Sequence, residues 1–125
     1  RYVLPHSRAV VRSIPGDVPV IHFAAHGRGL LDEVAATGAC VLSIDQGVPL
    51  GEVFDRFPTH AIQGNLDPEC LLGDRASIRE SCKRLLGEVG GRPGHIFNLG
   101  HGVLPPTPLE NAIFLVDLVH ELSAK

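Results

Sequence analysis

The 125-residue sequence contains no methionine and no tryptophan, with only one tyrosine and five phenylalanines. An interior built from it must be aliphatic. The missing methionine, with Arg1 in first place, is what a piece of a longer protein or a processed one would show. Positive charge is not in excess. Eleven Lys and Arg stand against 14 Asp and Glu, a net charge of −3. That excludes a strongly cationic nucleic-acid platform as the default, and the basic residues are not interleaved with aromatics as a single-strand groove requires. No apolar run approaches the ~18–20 residues that span a bilayer, and no signal peptide is visible. Neither a nucleic-acid nor a membrane partner is expected. The three cysteines, Cys40, Cys70 and Cys82, form no C-x-x-C. That argues against a zinc ribbon or redox motif, and an odd number argues against a disulfide framework. The expectation is buried free thiols in a reducing cytoplasm.

What is present is punctuation and short apolar runs. Fourteen glycines and ten prolines imply many turns and short elements. Tyr2 to Ile14 reads as a helix with Val3, Leu4, Val10, Val11 and Ile14 on one stripe, ended by Pro15-Gly16. The run from Val18 to Ala24 reads as a buried strand, and Leu30 to Ala36 as a short helix. Cys40–Ile44 is a second strand, Leu50–Phe57 a helix, and His60–Gln63 a third strand. From Asp74 to Val89 the helical signal is strongest, with Ile78, Cys82, Leu85, Leu86 and Val89 at three- and four-residue spacings. His95–Leu99 is a fourth strand. Thr107 is the expected N-cap of a last helix, Leu109 to Leu122, carrying Ile113, Val116, Leu118, Val119 and Leu122.

One helix followed by four strand–helix units predicts an α/β fold with a parallel sheet and right-handed crossovers. Two architectures fit: a small doubly wound sheet, or half of a (β/α)8 TIM barrel, which needs ~250 residues when whole. The chain has no G-x-G-x-x-G and no phosphate-binding G-x-x-x-x-G-K-[ST], which removes the main reason to favour a nucleotide-binding sheet.

In either architecture ligands bind at the carboxyl ends of the strands. The polar residues there are His22 and His26 after the first strand, Asp45 after the second, Asn65 and Asp67 after the third, and Gly100-His101-Gly102 after the fourth. Glycines on both sides of His101 let backbone approach a ligand and leave the imidazole uncovered. That histidine would either donate a hydrogen bond to a carboxylate and exchange protons near neutrality, or cap a neighbouring loop. Asn65 and Asp67 fit a turn equally well, Asp45 fits a loop bond, His22 a satisfied core histidine, and His26 a solvated one. No metal-ligand triad and no G-x-S-x-G nucleophile elbow emerges, and Ser43 lies inside a strand without an evident base.

The stretch Gly94-His-Ile-Phe-Asn-Leu-Gly-His-Gly-Val-Leu-Pro105, with Thr107-Pro-Leu-Glu-Asn111 and Val116-Asp-Leu-Val-His-Glu121 after it, resembles the C-terminus of the uroporphyrinogen decarboxylase family. Gln63-Gly-Asn-Leu-Asp-Pro68 is similar to that family's second C-terminal signature, and Tyr2-Val-Leu-Pro5 and Val18-Pro-Val-Ile-His22 fall in the expected order. The resemblance implies a TIM barrel of which residues 1–125 form the C-terminal part of the single domain. It implies a carboxy-lyase of haem biosynthesis that converts the four acetate side chains of uroporphyrinogen III to methyls, giving coproporphyrinogen III. It implies no metal or organic cofactor, because the protonated pyrrole of the substrate serves as electron sink. A homodimer is compatible with it for the full-length protein. The family's arginines, aspartate, tyrosine and serine or threonine that meet the substrate lie upstream of Arg1, so this chain carries no catalytic residue and is expected to be inactive alone. His101 alone maps onto a substrate-binding position, while His22, Asp45, Asn65, Asp67, Gly100 and Gly102 are the other candidates to line the cleft. The competing readings are a zinc-dependent cobalamin or coenzyme M methyltransferase on the same barrel, or a non-catalytic module. His22-Phe23-Ala24 and Gly100-His101 lack the cysteines that the methyltransferase relatives carry there.

Overall fold

A computed structural model describes residues 2–124. The elements run α1 (Leu4–Ser13), β1 (Ile21–Phe23), a 3-10 turn (Gly27–Leu30), α2 (Leu31–Ala35), β2 (Val41–Ser43), α3 (Leu50–Arg56), β3 (Ala61–Gln63), a second 3-10 turn (Pro68–Leu72), α4 (Arg75–Val89), β4 (His95–Ile96) and α5 (Leu109–Ser123). The strands form one sheet in the order β1-β2-β3-β4, and every neighbouring pair is parallel. Order and direction are those expected from the alternating units. The strands are shorter than expected, because each run bends into its loop after three residues or fewer. The fourth run is interrupted after Ile96 and pairs again only at Leu99, opposite Leu66.

The sheet has two unlike faces. His22, Leu42, Ile62 and His95 share one row in register, and Leu42 and Ile62 are fully buried. This row meets the helices: Leu42 and Ile62 join Leu31, Val53, Phe54, Ile78, Cys82, Leu85 and Leu118 in one core. The alternate residues point the other way, and there Ile21, Phe23 and Ile96 remain 50, 42 and 41% exposed. A sequential strand order has no reversal, so right-handed crossovers put every helix on the same side. The described strands lack the reversal of order that marks a doubly wound sheet. The arrangement is consistent with half of a barrel.

The helices hold to their expected registers unequally. Asp74 caps α4 by accepting from Ser77 N at 2.8 Å, Ile78, Cys82, Leu85 and Val89 are buried, and Gly90 stops it at φ +64°. In α1 no residue is buried, and Val3 and Val10 of the expected stripe are 71 and 64% exposed. Within α5 the buried residues are Asn111, Leu115 and Leu118, whereas Ile113 and Val116 face outward. The start of α5 also differs. Pro108 is its N-cap, and the Thr107 hydroxyl is buried with no partner. Asn111 ties the helix down instead, donating to Leu71 O (2.7 Å) and Gly73 O (3.1 Å). All three cysteines are free, but only Cys82 is buried as expected; Cys70 is half-buried and Cys40 exposed.

Candidate functional site

The carboxyl ends of the strands are tied together by the loop after β4, which runs back across the sheet. Gly64 N donates to Ile96 O, Leu66 N to Asn98 O, and Gly100 N to Leu66 O at 2.8 Å. The Gln46 amide is satisfied only with its nitrogen toward this loop, donating to Gly100 O at 3.1 Å and to Asp45 Oδ1 at 2.6 Å. The crossing is so close that a Cβ on Gly100 would lie 2.3 Å from Gln46 N. Having passed β3 and β2, the loop delivers His101 to β1. Its ring meets Phe23 edge-on, with centroids 6.1 Å apart and planes at 79°. His101 is exposed and lies against a residue of the helix-free face.

The other candidates have different employment. Asp45 is buried, and its carboxylate accepts from His26 N (2.7 Å) and Gln46 N (2.9 Å), joining the loops after β1 and β2. Asn65, also buried, donates through Nδ2 to Asp45 O and Val48 O. Asp67 caps the second 3-10 turn by accepting from Glu69 N. Gly100 is the close crossing, and Gly102 is exposed with open space around it. His26 is exposed, as expected, at φ +53°.

His22 does not line the helix-free face. Its ring hydrogen-bonds Thr37 Oγ1 at 3.1 Å and borders a groove with Leu4 of α1 and the preceding Val3. The reason is strand alternation: His22 is in register with Leu42, one residue out of phase with Phe23. Of the residues singled out in sequence, His26, Asp67, His101 and Gly102 remain exposed, Asp67 lining a cavity with Gln46, Asn65, Arg84 and Glu88, and His101 standing against the helix-free face. Asp45, Asn65 and Gly100 form the scaffold that carries His101.

Several contributors escaped the sequence reading. Phe23, Ser43, Gln63 and Ile96 form the row of the helix-free face nearest the carboxyl ends. Gln63 Nε2 donates to Ser43 Oγ at 3.0 Å. The signal available was alternation counted back from each strand tip. His95 sits in the helix-side row, where its Nε2 bonds Gly64 O at 2.7 Å and its ring packs between Phe54 and Phe97. No group of three or more His, Cys, Asp or Glu side chains placed to hold a metal occurs among the described residues, and no helix among them is long and apolar enough to cross a membrane.

The chain matches the family described as "Uroporphyrinogen decarboxylase (URO-D)" over residues 1–122. Uroporphyrinogen decarboxylase from Syntrophotalea carbinolica is 48% identical over 126 residues, covering 98% of this chain and 36% of the relative. The protein of that name from Carboxydothermus hydrogenoformans is 47% identical, covering 99% of this chain and 36% of the relative. One from Thermus thermophilus is 44% identical, covering 99% of this chain and 37% of the relative. The chain thus spans little more than a third of the length of these relatives.

Proposed function

Because the chain belongs to the uroporphyrinogen decarboxylase family, we propose that it is the carboxyl-terminal part of one (β/α)8 barrel domain that decarboxylates uroporphyrinogen III. The observation that carries this reading is identity of 44–48% along essentially the whole chain to relatives of that name. The fold supports it. Four parallel units with all helices on one side and two unpaired sheet edges are the geometry that further strands would close. Three free thiols suit a reducing compartment such as the cytoplasm.

In the proposed reaction a pyrrole of the substrate is protonated first. The bond between the acetate methylene and its carboxylate then breaks, carbon dioxide leaves, and the electron pair passes into the protonated ring. Protonation of the methylene carbon forms the methyl group, and loss of the first proton from the ring restores the pyrrole. The repeated cycle gives coproporphyrinogen III. The substrate itself supplies the electron sink, and residues outside this chain supply its charge stabilisation. His101 contributes a hydrogen bond from the rim of the helix-free face, directed at a substrate carboxylate, with Phe23 holding its ring at the edge.

The test is turnover by the full-length protein with His101 replaced. Loss of one hydrogen bond, neutral or charge-assisted, removes about 1–3 kcal/mol, so His101→Ala lowers kcat/KM by roughly 5- to 150-fold. A wild-type rate in that variant would remove the assigned role of His101. Absence of decarboxylation by the wild type would overturn the function.

A further inference from the structure

The His101 side chain makes no hydrogen bond among the described residues; its ring meets Phe23 edge-on. Its placement therefore comes from the backbone that delivers it. The Gly100 carbonyl lies in the same peptide plane as the His101 nitrogen, so a group that fixes this oxygen fixes the direction in which the chain enters His101. That group is the Gln46 amide nitrogen, which donates to Gly100 O at 3.1 Å. Gly100 N is fixed separately, donating to Leu66 O at 2.8 Å.

Gln46 is itself held. Its side chain is half-buried, and the same amide nitrogen donates to Asp45 Oδ1 at 2.6 Å. Asp45 is 8% exposed, and its carboxylate also accepts from Gln46 N at 2.9 Å and from His26 N at 2.7 Å. Its carbonyl accepts from Asn65 Nδ2 at 2.9 Å. One buried aspartate thus ties the loops after β1, β2 and β3, and a single amide carries that registry to the loop after β4. Every partner in this relay lies within the chain, so the relay does not depend on further strands. Both partners of the amide nitrogen are acceptors, a carbonyl and a carboxylate. An amide, with two N–H donors on one nitrogen, serves both; a thioether or a carboxylate of the same length serves neither.

We propose that Gln46, locked by Asp45, is a positioning residue for His101. It acts by orienting the Gly100–His101 peptide and not on the substrate. This rests on the decarboxylase reading.

The experiment is a double-mutant cycle in the full-length protein, with kcat/KM for uroporphyrinogen III measured for Gln46→Met, His101→Ala and the two combined. Gln46→Met keeps the length and removes the donors. It should lower kcat/KM about 5-fold, the worth of one neutral hydrogen bond. With His101 already replaced it should cost less than about 2-fold, because residues that act through one route are not additive. Gln46→Glu sets a carboxylate beside Asp45 and should lose at least as much as Gln46→Met; it carries the same cycle if Gln46→Met fails to fold. In protein isotope-labelled at histidine Cε1, the NMR resonance of His101, identified by its disappearance in His101→Ala, should shift in Gln46→Met. An equal loss in both backgrounds would make Gln46 a general brace and overturn the proposal. An unchanged kcat/KM in the single variant, a wild-type rate in His101→Ala, or an unmoved His101 resonance would overturn it too. Failure of the wild type to decarboxylate would instead defeat the function reading, while the resonance still decides the positioning.

Discussion

Cys82 lies at the centre of the helix-side core, fully buried, and burial pushes its thiol up to about 11, with Cys70 nearby adding to the shift. Cys70 is raised too, first by burial and then by Asp67. Cys40 is exposed at the start of β2, its Sγ exchanging weak hydrogen bonds with the backbone of Val20. Because the thiolate is the reactive form, iodoacetamide at pH 8 should label Cys40 in the native protein while Cys82 resists until denaturant is added. Mass spectrometry of the labelled peptides checks this, and equal labelling of Cys82 and Cys40 would contradict the packing. Composition showed that the thiols were free but not which were buried, since Cys40 falls in a run whose apolar character suggested a covered strand. The same limit applies at the site. The exposure of His101 was legible because glycines flank it. His22 fits the satisfied-core alternative and not the cleft, because a histidine at a strand tip says nothing of its face until register is known.

Among the elements, α4 was the most legible, because its apolar stripe, cap and stop all agree. The Ser77 backbone N–H bonded to Asp74 holds that carboxyl below the usual carboxylate range. A group whose acidity is raised by folding stabilises the fold when ionised, and that contribution is lost as pH falls through its folded value. Asp74→Ala should therefore lower Tm at pH 7, with the gap from wild type closing as the pH is taken below the ordinary carboxylate range; a gap independent of pH would contradict the capping role. The stripes expected on α1 and α5 hold only in part, because periodicity alone does not say what covers a face. Val3, Val10, Ile113 and Val116 remain largely exposed in this chain. The loop after β4 was legible as glycine-rich but not as a strap. A methyl on Gly100 would meet backbone atoms of Gln46 at 2.3 and 2.8 Å, which no side-chain rotation relieves. Gly100→Ala should cost about 1–3 kcal/mol by overpacking. It should also lower kcat/KM of the full-length protein at least as far as His101→Ala, because the strap sets where His101 stands. Unaltered Tm and rate would show that the crossing is not needed.

At the scale of the molecule, strand order and direction followed from alternating units. The bare face followed from topology only once the order was known. β1 and β4 each present an unpaired edge, and Ile21, Phe23 and Ile96 are exposed between them. Unpaired edges and apolar faces recruit other chains. Residues 1–125 alone should therefore self-associate in sedimentation velocity and show no decarboxylase activity; a well-dispersed monomer would contradict the half-barrel reading. The whole account turns on whether this sheet is completed into a decarboxylase. Its most direct test is conversion of uroporphyrinogen III by the full-length protein, followed by chromatography of the oxidised porphyrins, beside His101→Ala and Gly100→Ala. The account predicts coproporphyrin as the end product of the wild type, with both variants slowed. A folded full-length protein that leaves uroporphyrinogen III untouched would contradict it.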